Sequence, residues 1–293
     1  MIMFSILELI EDWPSIKVID IGAMSLGQGT EPYNMLMKRG IAEIVGFEPV
    51  EKECKNLNVT AQEHYSYLPY FIGDGSIRTF YECNYPMTSS LYEPNTPLLD
   101  KFQNIENLTR VVKTEKVTTR RLDDIPEVTG ADYLKVDVQG GEVGVYEGAT
   151  QLLKDIVLIH TEVVFVPLYK NQPLFAEIDQ ILRKNGFLFH KFMGISGRMF
   201  KPLQIKENIN ATMSQQLWAD AVYIKDFMAL ERLSAEKLLK LAIILHEVYG
   251  AYDLCAHVLG YYGEKCNLDI YNRYLTRLVG DALPIQQAQS VNL

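Results

Sequence analysis

The sequence predicts an α/β fold with a mostly parallel sheet and a helical appendage at its C-terminal end. From residue 17 to residue 225, strand-like segments, in which apolar and polar side chains alternate, are followed by segments of helical periodicity. This order is typical of a sheet covered by helices on both faces. From about Phe227 onward, apolar residues recur at helical spacing without a strand pattern. The predicted domains are therefore residues 1–226 and residues 227–293.

The individual elements can be assigned from apolar periodicity and from the Gly and Pro residues that interrupt it. Residues 1–14 are apolar but include Glu8, Glu11 and Asp12 and have no basic start, so they predict a first helix and not a secretion signal. The last strand has no helix before it, so we expect it to insert antiparallel into the sheet. Strands are predicted at 17–23, 42–48, 67–72, 77–83, 111–122, 133–138, 156–165, 187–192 and 217–225, and helices at 30–39, 50–62, 174–185 and after 141.

Composition and charge exclude several classes of function. The net charge of −9 argues against a nucleic-acid partner held by bulk electrostatics. The one basic concentration, between Lys113 and Arg121, lies in a predicted strand and is expected to be solvated. No stretch reaches the roughly 18–20 apolar residues of a membrane-spanning helix, and the four cysteines lack metal-site spacing. We expect a cytoplasmic protein with reduced thiols.

Residues 133–149, YLKVDVQGGEVGVYEGA, form the most informative motif. Lys135 and Asp137 belong to a predicted buried strand, Gly140-Gly141 ends it, and Glu142 opens an amphipathic helix. Ligands of open α/β sheets bind outside the carboxyl ends of the strands, so these side chains are candidates for chemistry. The alternative is that Asp137 only caps the following helix.

Acidic residues also follow the first three predicted strands. Asp20 precedes Gly22, Glu48 ends the second strand, and Asp74 ends the third. The glycine spacing is not GxGxxG, which argues against a dinucleotide fingerprint. A carboxylate at the second strand end can accept hydrogen bonds from two ribose hydroxyls, and one at the third can accept from the amine of adenine. These acids predict an adenosine ligand without phosphate, which points to S-adenosylmethionine.

Seven short motifs, in this order, resemble the FkbM family of S-adenosylmethionine-dependent methyltransferases. The resemblance covers residues 17–225 and implies a Rossmann-like, seven-stranded fold and O-methylation of hydroxyls on a sugar, glycan or natural product. The motifs are DIGA at 20–23, VGFEP at 45–49, GDG at 73–75, TSSL at 88–91, RRLDDI at 120–125, LKVDVQGGE at 134–142 and TEV at 161–163.

The resemblance also implies roles for individual residues. Asp20 and Gly22 would line the methionine part of S-adenosylmethionine, Glu48 its ribose and Asp74 its adenine, with Asp137 beside the sulfonium. The chain departs from the family pattern at residues 24–29 and at Gln139, where a glutamate is usual. The full set expected to bind the cofactor is Asp20, Gly22, Ala23, Glu48, Pro49, Asp74, Gly75 and Asp137.

Methyl transfer to an alcohol requires removal of a proton, and carboxylates are candidates for that role. We expect Asp137, Glu142 or Glu162 to act as the general base or to orient it, with Lys135 fixing the carboxylates. His160 and His190 are further candidates. The structural alternatives are that Glu142 favours a helix N-terminus and that Lys135 is an internal salt-bridge partner. A Mg²⁺ ion among the three carboxylates is a less favoured alternative, and no metal is assigned.

Two other functions stay open at this point. An NAD(P)-dependent oxidoreductase shares the fold class, although GxGxxG is missing. A non-catalytic binding or assembly protein could retain the domain, and the helical tail could then serve assembly. The tail has a hairpin pattern like that of tetratricopeptide repeats, and we expect it to pack on the domain or to form a homodimer contact. The acceptor is expected to be a small molecule or glycan, shaped by residues 84–107, 165–169 and 193–215.

Overall fold

The computed structural model describes residues 4–23, 31–61 and 63–281, which form two compact units. The sheet unit contains residues 17–23, 44–61 and 63–225. The helical unit contains residues 4–16, 31–43 and 226–281. The boundaries expected from the sequence, 1–226 and 227–293, place residues 4–16 and 31–43 in the other unit, and they stay a prediction.

Within the described residues, nine strands form one large sheet and one ribbon. The large sheet has seven strands in the order β3-β2-β1-β6-β7-β9-β8, and the ribbon pairs β4 with β5 antiparallel. The strands are β1 (Ile16–Ile21), β2 (Ala42–Phe47), β3 (Tyr65–Leu68), β4 (Ile77–Cys83), β5 (Val111–Thr118), β6 (Tyr133–Val136), β7 (Leu158–Val164), β8 (Phe187–Gly197) and β9 (Gln216–Lys225).

The pairing within the large sheet agrees with the predicted topology. β6 is parallel to both β1 and β7, and β2 is parallel to β3. β9 lies between β7 and β8 and is antiparallel to both, as expected for a strand that follows β8 without a helix between them. The predicted α/β class and the Rossmann-like, seven-stranded sheet are confirmed.

The central strands are buried on both faces, which explains their nearly continuous apolar character. Every residue of β6 is buried, and β1 is buried except at Lys17. Asp20 and Lys135 are the charged residues inside these two buried strands, and the register places them directly opposite each other. A charged pair at the centre of the sheet is therefore set by the pairing of β1 with β6.

Ten α-helices occur in the described part of the chain. In the sheet unit they are α2 (Glu51–Thr60), α3 (Thr96–Leu99), α4 (Ile105–Leu108), α5 (Glu142–Glu147), α6 (Leu152–Asp155) and α7 (Phe175–Lys184). In the helical unit they are α1 (Asn34–Lys38), α8 (Ala235–Glu247), α9 (Tyr252–Cys266) and α10 (Ile270–Asp281). None of the described helices is long and apolar enough to cross a membrane.

Among the predicted elements that differ from the structure are the first helix, the third strand and the helix at 30–39. The first helix is reduced to one 3-10 turn, Ile6–Leu9, which Ser5 caps and which ends where Ile10 becomes extended. β3 ends at Leu68, so Asp74 lies six residues beyond the strand and not at its end. The described part of the predicted helix at 30–39 contains α1, which starts only at Asn34, and residues 24–30 lie outside the described residues.

Residues from both ends of the chain meet in the helical unit. Glu247, at the end of α8, accepts hydrogen bonds from Ser5 Oγ (2.5 Å) and from the Ile6 N–H (3.0 Å). The ring of His246 lies 2.9 Å from the Tyr274 hydroxyl and 3.0 Å from the Phe4 carbonyl oxygen. Since His246 is buried, desolvation lowers its pKa, and the neutral ring fits this environment.

Candidate active site

Asp20 and Lys135 form a buried ion pair at the carboxyl side of β1 and β6. Lys135 Nζ donates to Asp20 Oδ1 over 3.0 Å, and the two side chains are 11% and 1% exposed. The pair satisfies both charges inside the sheet, where an isolated charge would be costly. Lys135 therefore pairs with Asp20, which is the salt-bridge alternative considered above, and its positive charge also acts on Glu162. Its expected role in fixing the catalytic carboxylates stays a prediction.

Gly22 brings the turn after β1 into backbone contact with the turn after β6. Its φ is +86°, and a Cβ atom at this position would lie 1.9 Å from the Asp137 carbonyl oxygen. The Asp137 N–H donates to the Ile21 carbonyl (3.0 Å), and the N–H groups of Gly22 and Ala23 donate to Phe47. A residue with a Cβ atom would clash with the Asp137 backbone, so only glycine fits here. The glycine of the DIGA motif therefore serves packing, and this close contact positions Asp137.

Glu48 follows β2 as a buried carboxylate. Its Oε1 accepts from the Val50 N–H over 2.8 Å, beyond Pro49, and no other described residue donates to it. Burial raises the pKa of Glu48 and the Val50 hydrogen bond opposes this shift. Its second oxygen is thus available to accept from a ligand, which fits the ribose hydroxyls of an adenosine group.

Asp74 lies in the turn that leads into β4. Its Oδ1 accepts from the Ser76 N–H (3.0 Å), and its Oδ2 forms an ion pair with Arg78 (2.7 Å). Burial would raise the pKa of Asp74, but the Ser76 hydrogen bonds and Arg78 outweigh it and lower this pKa to about 2. Gly75 follows with a φ of +89°. The Asp74 carboxylate therefore holds its own turn together.

Gln139 connects two carboxylates at the ends of β6 and β7. Its Nε2 donates to Asp137 Oδ1 (2.9 Å) and to Glu162 Oε2 (3.1 Å). Its Oε1 accepts from the Tyr169 hydroxyl over 3.3 Å. The φ of Gln139 is +53°, a left-handed conformation that is uncommon for this residue type. The nitrogen and the oxygen of the Gln139 side-chain amide therefore both have hydrogen-bond partners. The amide nitrogen lies between the two carboxylates and contacts both.

Glu142 closes the same turn from its other side. Its Oε1 accepts from the N–H groups of Val138 (3.2 Å) and Gly140 (3.1 Å). Burial and the negative charge of Asp137 raise the pKa of Glu142 to about 7, although its backbone hydrogen bonds oppose the shift. Burial, with the charges of Asp137 and Glu142, also raises the pKa of Glu162 well above its usual range.

The segment between β4 and β5 covers this carboxylate cluster. Ser90 Oγ donates to the Gln139 carbonyl oxygen (2.6 Å), and the Tyr169 hydroxyl donates to the Thr88 carbonyl (2.9 Å). The Asn95 N–H donates to the Leu168 carbonyl (2.9 Å), so the segment is also fixed to the loop after β7. Two of the predicted acceptor-shaping regions, 84–107 and 165–169, are therefore bound to each other.

The third predicted acceptor region joins them further along the segment. The Gln103 N–H donates to the Met199 carbonyl (2.9 Å), and Lys201 Nζ forms an ion pair with Asp100 (2.8 Å). Phe102 contacts Phe200, with ring centroids 4.6 Å apart. The loop between β8 and β9 is thus attached to the covering segment.

The structure brings together Asp137, Glu142 and Glu162, and the two histidine candidates have other surroundings. His160 is buried on β7 and lies 3.7 Å from Asp220, and His190 lies on the outer strand β8. The expected contacts of residues 24–29 lie outside the described residues. Among the residues that are described, no group of three or more His, Cys, Asp or Glu side chains could hold a metal ion.

Gln139, Tyr169 and Ser90 are the members of the site that sequence reasoning missed. Gln139 was interpreted as the loss of a carboxylate, although it lies inside the most informative motif. Gln139 is a polar residue directly before two glycines, and this pattern could have indicated a turn with left-handed backbone conformation. Tyr169 and Ser90 lie in regions expected to shape the acceptor site, but no local pattern distinguishes them.

The FkbM methyltransferase domain family matches residues 20–189, more than half of the chain. None of the curated proteins matches the sequence. The solved structures to which the chain is similar include magnesium protoporphyrin IX methyltransferase (ChlM) from Synechocystis PCC 6803 with bound SAM. The two chains share 11% sequence identity with a TM-score of 0.37, and the match covers 75% of this chain and 76% of that one.

Two further structures show a similar degree of likeness. An S-adenosylmethionine-dependent methyltransferase from Aquifex aeolicus has 10% identity and a TM-score of 0.33, over 74% of this chain and 87% of that one. The plantazolicin methyltransferase BpumL in complex with SAH has 12% identity and a TM-score of 0.34, over 75% and 79%. The assignment made below rests on the family match and on the strand order of the sheet.

Proposed function

The chain belongs to the FkbM methyltransferase family, and from this premise we propose that it transfers a methyl group from S-adenosylmethionine to a hydroxyl of a sugar, glycan or natural product. The observation that supports this best is the Asp137–Gln139–Glu162 network at the carboxyl ends of β6 and β7. This is the edge of an open α/β sheet at which ligands bind.

The proposed cofactor site uses residues on either side of β1. Glu48 would hold the ribose through its unshared oxygen, and the Gly22–Ala23 turn would line the methionine part beside Asp137. Asp74 and Gly75 would border the adenine, with the Asp74 side chain acting mainly through its turn. When bound, S-adenosylmethionine supplies an activated methyl group.

The chain itself would bind the acceptor hydroxyl and accept its proton. Burial and the charges of Asp137 and Glu142 raise the pKa of Glu162, which makes it the weaker candidate, and we assign Asp137 as the proton acceptor. Gln139 fixes the orientation of both groups, because its two amide N–H bonds are directed at them. Ser90 and Tyr169 connect this arrangement to the covering segment, which would exclude water around the acceptor.

Calorimetry with S-adenosylmethionine and S-adenosylhomocysteine tests the cofactor site. Glu48→Ala should weaken binding by about 10- to 100-fold, since hydrogen bonds to a charged group contribute about 1.5–3 kcal/mol each. Glu51→Ala removes an exposed carboxylate three residues away and should leave binding unchanged. A folded wild-type chain that binds neither compound would refute the enzyme proposal and favour a non-catalytic binding role.

A separate experiment tests the transfer to oxygen. The chain and cofactor with a labelled methyl group would be incubated with a panel of sugars and hydroxylated natural products, and products would be identified by mass spectrometry and NMR. We expect label on oxygen, and loss of labelling when the accepting hydroxyl is replaced by hydrogen. Label on nitrogen or carbon would contradict O-methylation while preserving the methyltransferase assignment.

A further inference from the structure

A large groove runs between α9 and α10 in the helical unit, with a volume of about 1030 Å³. Its floor is a row of small residues, Ala256, Gly260 and Gly263, at helical spacing on one face of α9. A Cβ atom at Gly260 would come no closer than 3.9 Å to another atom, the nearest being on the Tyr271 ring. The packing of the described residues therefore leaves room for a side chain at Gly260.

The walls of the groove expose apolar surface. Leu268, Tyr271 and Val279 are 52%, 36% and 37% exposed, and all three line the groove. A helix with its side chains has a diameter of about 10–12 Å, so this volume corresponds to about two turns of helix. The groove thus has the depth and the apolar walls to accept one face of a helix.

The position of the groove agrees with the order of the helices. α9 packs against α8 and also against α10, and the three helices are joined by short links. In stacked helical hairpins each helix covers the apolar faces of its neighbours, and a terminal hairpin needs a covering element. A fourth helix in such a stack would lie against both α9 and α10, which is where the groove is.

The rim of the groove is acidic. Asp253, Glu264 and Asp269 line it, and the described lining residues include no Lys or Arg. A second copy of this chain would bring the same three carboxylates to the contact, and like charges would repel. Residues 282–293 contain no Lys or Arg either, so this segment does not complement the charge of the rim.

We propose that the α9–α10 groove binds a basic, amphipathic α-helix of a partner protein. The apolar face of that helix lies on the Ala256–Gly260–Gly263 floor, and its Lys or Arg side chains pair with the acidic rim. Binding through helix-in-groove contacts of this kind is independent of the methyltransferase site.

Fluorescence anisotropy with a synthetic probe tests the groove on the full chain. The probe is a labelled 14-residue peptide of Leu and Lys in a helical pattern, and a Leu and Glu peptide of the same pattern is its counterpart. We expect the Leu and Lys peptide to bind at physiological salt and the Leu and Glu peptide not to bind. Equal binding of both peptides would contradict the proposal that the acidic rim of the groove selects a basic helix.

Two matched pairs of variants locate the binding. Gly260→Leu fills the floor and should weaken binding at least tenfold, whereas Gly280→Leu, which also has open space around it on α10, should not. Glu264→Lys should weaken binding about tenfold, whereas Glu11→Lys, an equal change of net charge elsewhere, should change it less than twofold. If Gly260→Leu fails to fold, the pair of charge variants still decides.

Three outcomes would overturn the proposal. An equal loss of binding in Glu264→Lys and Glu11→Lys would show attraction by net charge alone. Self-association of the wild-type chain that Gly260→Leu abolishes would make a second copy the occupant. Displacement of the probe by a peptide of residues 282–293 would make the end of this chain the occupant.

Discussion

The two halves of the candidate site use acidic residues in opposite ways. In the half around β1 and β2, each carboxylate has its own local partner: Lys135 for Asp20, the Val50 N–H for Glu48, and Arg78 with Ser76 for Asp74. In the half around β6 and β7, the carboxylates of Asp137 and Glu162 share one donor, and the pKa values of Glu142 and Glu162 are raised.

This difference separates binding from proton transfer. A carboxylate with a dedicated donor is held in one orientation and offers a fixed hydrogen-bond acceptor, which suits recognition of a ligand. In the second half, burial and neighbouring negative charges raise the pKa values of Glu142 and Glu162, as is typical of groups that take part in proton transfer. Substitutions in the second half should therefore change rates and pH dependence, whereas substitutions in the first half should change stability and affinity.

The largest effect is expected at Asp137. Asp137→Asn should lower the rate of methyl transfer by about 10²- to 10⁴-fold, because it removes the assigned proton acceptor but keeps the hydrogen-bonding shape. Single-turnover measurements would determine this rate, and Asp155→Asn on the exposed end of α6 is the control. Intact turnover in both Asp137→Asn and Glu162→Gln would refute the assignment of either as base.

A loss of stability is expected when the buried ion pair is broken. Lys135→Met removes the cation that pairs with the Asp20 carboxylate at the centre of the sheet and should lower the free energy of unfolding by about 3–5 kcal/mol. Urea unfolding followed by circular dichroism would measure it. Combining Asp20→Asn with Lys135→Met should recover part of the loss, while Lys113→Met, at an exposed pair, should leave the unfolding curve nearly unchanged.

Glu142 should make stability depend on pH near neutrality. Because its folded-state pKa of about 7 exceeds the ordinary value of 4.5, the folded chain retains a proton that the unfolded chain has lost, and stability falls as pH rises from about 4.5 to 7. Over this range the free energy of unfolding should fall by about 3 kcal/mol, since each unit of pKa shift corresponds to about 1.36 kcal/mol. Urea unfolding at pH 5, 6, 7 and 8 should show a steeper fall in the wild type than in Glu142→Gln, in which Glu162 still contributes. The same slope in both chains would contradict it.

Gln139 should affect the rate more than the binding of cofactor. Gln139→Leu removes both hydrogen bonds to the carboxylates, so the rate of transfer should fall about tenfold, which is about 1.4 kcal/mol. The acid limb of the pH–rate profile should move to higher pH, since an ionised carboxylate without its donor holds a proton more tightly. Gln139→Glu, which also lacks the two donors, should show the same displacement. An unchanged pH profile would leave Gln139 with a structural role only.

The smallest effect is expected at Arg78. Its guanidinium is 43% exposed, so Arg78→Ala should cost less than about 1 kcal/mol of stability and change cofactor affinity less than threefold. The pKa of Asp74 should rise from about 2, which NMR titration of the carboxyl carbon would detect. A large loss of cofactor affinity would show that Asp74 contacts the ligand directly through its charge.

Much of the fold could be predicted from the sequence because the signals are local. The alternation of apolar and charged residues from Tyr133 to Val138 predicted a buried strand, and the missing helix before β9 predicted an antiparallel insertion. The family assignment is confirmed as well, since ordered motifs around Asp20, Glu48 and Asp137 are specific in combination. The roles of individual cofactor-binding and catalytic residues stay predictions.

The rest depends on contacts that the sequence does not display. The partner of Lys135 is one example: the register of β1 and β6 places it opposite Asp20, and register is a tertiary property. Gln139 became visible as a connecting residue only when β7 placed Glu162 next to it. The first helix was predicted from apolar residues near Ile6 that instead fill a contact with the end of α8.

The hydrogen bond between Ser5 and Glu247 can form only after both residues have been synthesised, and this sets the earliest time at which the helical unit can be completed. The two residues are 242 positions apart, so at about 5–20 residues per second the ribosome makes Glu247 about 12–48 s after Ser5. Through that interval Phe4 and Ile6 have no native partner from α8, and they are open to chaperones. The beginning of the chain is thus among the last parts of the protein to reach its final place.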